Sequence, residues 1–470
     1  MEKKYKTILL KNSIINVMKE LKELENSLQE SGNIFLYVKN DYYHNQIKNN
    51  IFDLMEFCTN MGYIYINTII VPESTDENYD NIQYIIWFVK NKEKMYFNKD
   101  SIREKHIWKD VEWGKREKNY NPKGKDPGNV WIPTLDDGKG KITEHILLQT
   151  NQVYDRIFKA TIQDDDDEIF LLSDKKDDSI YSYKKNKITF KFINNEEENF
   201  EDNYTKEIVN NTKNKDSIGK VFFGTSENMD RIENNTVKLV VTSPPYWDLK
   251  DYFKKDQIGK EDYKTYSKRM YKVWEECYNK LQIDGSMWIN INVRIRNNKP
   301  IYLPKLFIEQ CKKIGFIFAG ILIWHKSSGI PTNAKNIVDR HEYVLIFLKS
   351  GKNSIKSLKI NRYNDYKNDK LNGGFIWNIN RKAGSVGKKT IHPAIFPTEL
   401  INRIICLATN EKDIVLDPFL GSGTSLIAAL NNNRNFIGYE FNEGFKELMN
   451  DRFKSEIYNY KKDEIIYTML

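Results

Sequence analysis

What this sequence has little of narrows it first. Its 470 residues include four cysteines, Cys58, Cys277, Cys311 and Cys406, widely separated and without a Cys-x-x-Cys pair or neighbouring histidines. That spacing argues against a disulfide framework or a zinc site and predicts buried thiols with no metal. No apolar run approaches the roughly 20 residues needed to cross a bilayer. The densest run, 316–324, is strand-sized, and the lysine-rich start lacks a signal-peptide core. A protein with no membrane contact, cytoplasmic in location, is expected. Apolar residues are not scarce: 40% hydrophobic and 13% aromatic content exclude wholesale disorder and a fibrous repeat. The length suggests two or three domains.

Charge is unevenly placed. The chain carries a formal +8, and residues 349–390 hold eleven Lys/Arg against Asp365 and Asp369, a local net of +9. This window, with Lys356, Lys359, Arg362, Arg381, Lys382, Lys388 and Lys389, is a candidate phosphate-contacting surface. The competing reading is a solvated loop in a Lys- and Asn-rich chain.

An internal repeat is visible. Leu28-Gln29, Gly32, Gly62 and the run 84–89 are echoed by Leu281-Gln282, Gly285, Gly315 and 343–348, both Gly-to-Gly intervals being thirty residues. Further on, Gly128-Asn129-Val130-Trp131 leads to His145 and Arg156, as Gly374-Phe375-Ile376-Trp377 leads to His392 and Arg403. The repeat unit reads as helix, strand, helix, strand over a helix-covered sheet. The polar stretch 164–217 between the copies reads as a linker or peripheral hairpin, with a short strand at 187–193.

Two elements occur only in the second half. The apolar strand 237–241 runs into Thr242-Ser243-Pro244-Pro245-Tyr246-Trp247. Consecutive prolines end the ladder, so a stiff loop displays the Ser243 hydroxyl, backbone carbonyls and an aromatic ring at a strand's carboxyl end, where α/β sheets bind ligands. The second element is Asp417-Pro418-Phe419-Leu420-Gly421-Ser422-Gly423-Thr424 between a strand and a helix, with Glu440 ending the next strand. A Gly turn at a helix N-terminus lets a ligand approach backbone amides, and a carboxylate about twenty residues on suits ribose hydroxyls. A dinucleotide site is the competitor. The loop lacks that fingerprint's third glycine and the Lys of a phosphate-binding loop, and Asp417 would repel a diphosphate. A cationic, ribose-bearing ligand suits it better.

Taken together, these motifs resemble the β class of S-adenosylmethionine-dependent DNA amino-methyltransferases, in which a Pro-Pro-Tyr motif precedes the Asp-Pro-Phe-x-Gly-x-Gly-Thr cofactor motif. The resemblance covers about 219–455, including Gln257-Ile258-Gly259-Lys260-Glu261 and His392-Pro393-Ala394-Ile395-Phe396-Pro397. It implies a Rossmann-like α/β methyltransferase fold with a mostly parallel sheet, S-adenosyl-L-methionine as cofactor and double-stranded DNA as substrate. Asp417, Pro418, Phe419, Gly421, Ser422, Gly423, Thr424 and Glu440 would hold the cofactor, with His392, Pro393 and Phe396 closing over it. Ser243, Pro244, Pro245 and Tyr246 would be catalytic. Trp247 would help Tyr246 stack on a flipped base; Trp324, His325 and Lys326 are left outside the site. Serine at the first motif position looks like the cytosine-N4 enzymes, with adenine-N6 as the alternative. Within a restriction-modification system the protein partner would be a cognate restriction endonuclease. Rival readings are an RNA or protein-glutamine methyltransferase and a non-catalytic nucleic-acid-binding regulator.

The expected organisation is a smaller, degenerate methyltransferase-like domain at 1–165, a linker or hairpin at 166–218, and a catalytic domain at 219–470 with target recognition at about 350–390. The first copy would lack the chemistry, with the acidic run 164–168 standing where a cofactor turn belongs. It would pack on the second as a pseudo-dimer within one chain and grip DNA through Lys115, Arg116, Lys118, Lys123 and Lys125.

Overall fold

The computed structural model describes residues 4–43, 46–72, 82–104, 121–132, 134–136, 142–145, 147–174, 186–193, 217–249, 256–297, 299–326, 335–352, 375–380, 397–457 and 465–469. Among these, no helix is long and apolar enough to cross a membrane. Cys58, Cys277 and Cys311 are buried free thiols, and Cys406 is a half-buried one.

The first half contains β1 (Tyr5–Lys11), α1 (Ile14–Glu23), β2 (Leu28–Val38), the hairpin β3 (Asp41–Tyr43) and β4 (Gln46–Asn49), α2 (Ile51–Asn60), β5 (Ile64–Pro72) and β6 (Ile82–Val89). There follow the small pair β7 (Thr134–Asp136) and β8 (Ile142–His145), then α3 (Thr150–Thr161), β9 (Ile169–Ser173) and β10 (Ile188–Phe192). The second half contains β11 (Gly219–Phe223), β12 (Val237–Thr242), α4 (Tyr263–Lys280), β13 (Leu281–Ile291), the hairpin β14 (Arg294–Arg296) and β15 (Lys299–Ile301), and α5 (Leu303–Ile314). It continues with β16 (Ile317–His325), β17 (His341–Leu348), β18 (Ile376–Asn378), α6 (Thr398–Ala408), β19 (Ile414–Asp417), α7 (Thr424–Asn431), β20 (Asn435–Glu440), α8 (Lys446–Glu456) and β21 (Ile465–Met469).

Two mixed, mostly parallel sheets result. One runs β10-β9-β1-β2-β6-β5 and the other β18-β16-β17-β13-β12-β19-β20-β11-β21. The order β10-β9-β1-β2-β6-β5 matches β20-β19-β12-β13-β17-β16 strand for strand, with β6 and β17 as the antiparallel members. Even the defects agree. The β1–β2 register jumps from Tyr5↔Leu28 to Thr7↔Asn33, and the β12–β13 register jumps from Val237↔Leu281 to Leu239↔Ser286. The repeated glycines sit at those jumps, where a Cβ would crowd the neighbouring backbone. A Cβ on Gly32 would lie 2.9 Å from the Lys6 carbonyl, and one on Gly285 3.1 Å from the Lys238 carbonyl. Arg156 covers the Trp131 ring at 4.9 Å as Arg403 covers Trp377 at 5.6 Å.

The segment expected to be a linker contributes two strands to the first sheet, since β9 pairs with β1 and β10 with β9. The acidic run 164–168 therefore precedes β9, at the strand's amino end. A cofactor turn would follow the carboxyl end, so the expected replacement of that turn by acids is incorrect. Polar residues hid β9 because the acids flank only five buried positions.

The halves meet reciprocally. α2 packs on α5, and each half's hairpin lies on a strand of the other half, β4 on β16 and β15 on β5. One apolar core runs through both, with Phe52 edge-on to Tyr343 at 5.1 Å. A second core fills the other face of the first sheet, beneath α3.

Candidate active site

The two motifs peculiar to the second half end neighbouring strands. β12 delivers Thr242 and the Pro-Pro loop, β19 delivers Asp417, and the two strands pair directly. Burial in a low-dielectric strand end raises the Asp417 pKa to about 6. Its carboxylate accepts from the Thr242 hydroxyl (2.7 Å), the Ser425 hydroxyl (2.5 Å) and the Phe419 amide (3.0 Å). Asp417 thus ties the Ser243-Pro244 loop to the glycine turn.

The turn itself is clamped from behind. Gly423 has φ of 85°, and a Cβ there would meet the Phe453 ring at 2.5 Å, so only glycine lets α8 close on the turn. Arg452 of α8 donates to the Ser422 carbonyl (2.9 Å), the Ser422 hydroxyl (2.6 Å) and the Thr424 hydroxyl (2.9 Å). Both hydroxyls accept from Arg452 and keep their own O–H to donate. Pro418 is buried, and half-buried Phe419 lies edge-on to Trp274.

Glu440 ends β20 beside the turn. One carboxylate oxygen accepts from the Gly421 amide (2.8 Å) and the other from the Asn442 amide (2.7 Å). Burial is the first cause, and the charge of Asp417 a further one, of a pKa raised to about 7. Each oxygen keeps acceptor capacity, which fits a ligand offering two adjacent hydroxyls.

At the Pro-Pro loop, the Tyr266 hydroxyl donates to the Pro245 carbonyl at 2.7 Å. Among the described residues nothing donates to the Pro244 carbonyl, and Ser243 is half exposed. The Tyr246 hydroxyl donates to Glu342 Oε2 (3.1 Å), which also accepts from Asn290 Nδ2 (2.7 Å), while Lys326 Nζ donates to Glu342 Oε1 (2.9 Å). Asn290 is next to last in β13 and Lys326 directly follows β16, so this network lies along the same sheet edge. The Trp247 indole N–H donates to the Glu261 carbonyl (2.8 Å) and Arg296 covers its ring at 4.4 Å, so it braces the loop wall.

Glu342, Asn290, Lys326, Tyr266, Arg452 and Ser425 were not legible as site residues. For Asn290, Lys326 and Glu342 the faint signal is a polar side chain at the end of an otherwise apolar strand; Tyr266, Ser425 and Arg452 lie on helices and carry no such signal. Trp324 is core, as its burial and bond to the Ile379 carbonyl show. His392, Pro393, Phe396, Lys356, Lys359, Arg362, Arg381, Lys382, Lys388 and Lys389 lie outside the described residues, as do Lys115, Arg116 and Lys118. Lys123 pairs with Asp100 at 2.6 Å, and burial lowers the Lys125 pKa, which disfavours it as a phosphate contact.

The sequence profile of the DNA methylase family matches residues 237–451. The type II methyltransferase M.MjaI of Methanocaldococcus jannaschii is 33% identical over 282 residues, spanning 50% of this chain and 90% of that protein. The type II methyltransferase M.Cfr9I of Citrobacter freundii is 29% identical over 267 residues, spanning 48% and 84%. Among solved structures, the cytosine-N4-specific PvuII DNA methyltransferase is 21% identical, covering 53% of this chain and 90% of its own, with a TM-score of 0.42. With a relative so similar along nearly its whole length, the chain belongs to the DNA methylase family, the S-adenosylmethionine-dependent amino-methyltransferases of DNA.

Proposed function

We propose that this protein methylates the exocyclic N4 of a flipped-out cytosine in double-stranded DNA, as a cytoplasmic enzyme. The observation that carries the reading is the buried tie between Thr242 and Asp417, which holds the Ser243-Pro244 loop against the glycine turn and Glu440. Glu440 would receive the ribose hydroxyls of S-adenosyl-L-methionine, and the amides of the 421–424 turn would border its methionine part. When bound, the cofactor supplies an electrophilic sulfonium methyl group.

The amine of cytosine is a poor nucleophile because its lone pair is delocalised into the ring. The Ser243 hydroxyl and the Pro244 carbonyl would accept its two N–H bonds, drawing the nitrogen toward tetrahedral geometry and aiming the lone pair. These residues position and polarise; they form no covalent intermediate. The base must leave the duplex stack to reach them, at a cost of a few kcal/mol, and stacking on Tyr246 would offset part of it. Serine at position 243 favours cytosine over adenine. The +9 window would contact phosphates, and a cognate restriction endonuclease would be the functional partner.

The first half is, in this reading, a second copy of the fold that has lost the chemistry. Shared strand order, register jumps and Arg-on-Trp pairs support duplication.

Transfer of labelled methyl groups to mixed genomic DNA, followed by nucleoside analysis, tests the assignment. N4-methylcytosine is expected. N6-methyladenine would overturn the base assignment, and no label in any DNA would favour a non-catalytic DNA-binding role.

A further inference from the structure

The contacts that hold Tyr246 lead out of the second half. Glu342 stands at the start of β17, immediately after residues 336–341. That strap is gripped by the first half. Asn67 Nδ2 of β5 donates to Asn336 Oδ1 (3.1 Å) and to the Ile337 carbonyl (3.2 Å). The Asn129 amide donates to the Val338 carbonyl (3.0 Å), and the Val338 amide donates to the Pro127 carbonyl (2.9 Å). Gly128 and Val338 therefore pair as parallel strands. The Asn129 side chain does the rest. Its Nδ2 donates to Asp339 Oδ1 (3.1 Å) and Asn67 Oδ1 (2.9 Å), and its Oδ1 accepts from the Arg340 amide (2.8 Å). Ile337 is buried in the first half's own core beside Leu9, Trp87 and Trp131. At its other end the strap meets the target-base wall, where the Lys326 amide donates to the Arg340 carbonyl (2.6 Å) and its ammonium group to Glu342.

Asn129 is fully buried, and both polar atoms of its side chain are bonded, so it is built to fix a neighbouring chain and not to meet DNA. We propose that the first half takes part in methyl transfer as a positioning element: Asn129, through the 336–341 strap and Glu342, fixes the Tyr246 ring at the target-base site. The proposal rests on the reading that Tyr246 stacks on the flipped base. It gives the chemically silent half a task that needs no cofactor turn and no phosphate contact, and it confines that task to the target-base side, since Asp417 and Glu440 share no bond with the strap among the described residues.

The test uses the full chain. Asn129→Asp keeps the acceptor for the Arg340 amide but sets a carboxylate against Asp339. Single-turnover methyl transfer is expected to slow by about tenfold, with cofactor affinity and the KM for DNA within about twofold. Asp339→Asn in the same chain restores a donor–acceptor pair and is expected to recover most of the loss. In a Tyr246→Phe background, which keeps the ring and lacks the hydroxyl bonded to Glu342, Asn129→Asp should cost less than about twofold, because both changes act through one contact. Equal tenfold losses in both backgrounds, an unchanged rate, or a parallel loss of cofactor affinity would each overturn the proposal. Should Asn129→Asp not fold, Asn67→Ala is the substitute. A loss of about threefold, again dependent on the Tyr246 hydroxyl, is expected, and no loss overturns the idea. Ser243→Ala separates the two levels. If it too leaves the rate intact, the active-site reading fails; if it abolishes transfer while the Asn129 and Asn67 variants do nothing, only the positioning role fails.

Discussion

The two halves of this chain are a comparison made on one scaffold. Aligning their registers puts Leu10 where Thr242 stands, Leu171 where Asp417 stands and Phe192 where Glu440 stands. Lys11 takes the place of Ser243 and is paired with Asp174 at 3.4 Å. In the first half α1 begins at Ile14, within a few residues of β1; in the second, residues 243–262 separate β12 from α4, and the residues proposed to orient the base open that interval. Strand order and register jumps are common to both, and α1, α2 and α3 hold the same places between strands as α4, α5 and α6, whereas among the described residues α7, between β19 and β20, has no counterpart between β9 and β10. The side chains at the carboxyl ends of three strands differ as well. One sheet architecture thus carries two different sets of strand-end side chains, and the proposed chemistry rests on the second half's set.

The comparison can be broken most severely by giving the second half the first half's residue. Asp417→Leu unpairs two buried hydroxyls and the Phe419 amide, each at a cost of about 1–3 kcal/mol. Cofactor affinity should fall by more than about 100-fold, read by equilibrium binding. Thermal unfolding should show a lowered melting temperature.

A smaller effect follows from Glu440. Its raised pKa, about 7, means that the carboxyl is protonated at low pH, while hydroxyl donors bind the ionised form. Cofactor affinity should therefore fall by about tenfold between pH 8 and pH 6. Asp417 titrates lower, at about 6, and enters only at the acid end. Glu440→Gln should bind weakly with little pH dependence across that window; an unchanged slope would remove Glu440 from the ribose site.

Smaller still is the role of Arg452. Arg452→Met frees the Ser422 and Thr424 hydroxyls and loosens the turn, with an expected threefold to tenfold weaker cofactor binding, about 0.7–1.4 kcal/mol, and near-normal transfer at saturation. The smallest effect belongs to the first half. Phe192 is 44% exposed, so Phe192→Ser should shift stability by less than about 0.5 kcal/mol and leave methyl transfer unchanged.

The scaffold was legible where local geometry forces a residue. Gly32 and Gly285 announce the same register jump because a Cβ would strike backbone there, and their spacing to Gly62 and Gly315 exposes the repeat. The Pro-Pro loop and the glycine turn were legible for the same reason. Long-range partners were not: Tyr246 and Glu342 are 96 residues apart, and Arg452 reaches Ser422 across 30. β9 was missed because its five buried residues follow four aspartates, and the bracing of Trp247 by Glu261 and Arg296 was not legible because it exists only once the chain has folded.

One measurement bears most directly on the claim that the second half's strand-end loop performs the reaction: single-turnover methylation of duplex DNA by Ser243→Ala/Tyr246→Ala at saturating cofactor. The account predicts undiminished cofactor binding and a rate reduced by at least about 1,000-fold. Methylation at the parental rate would contradict it.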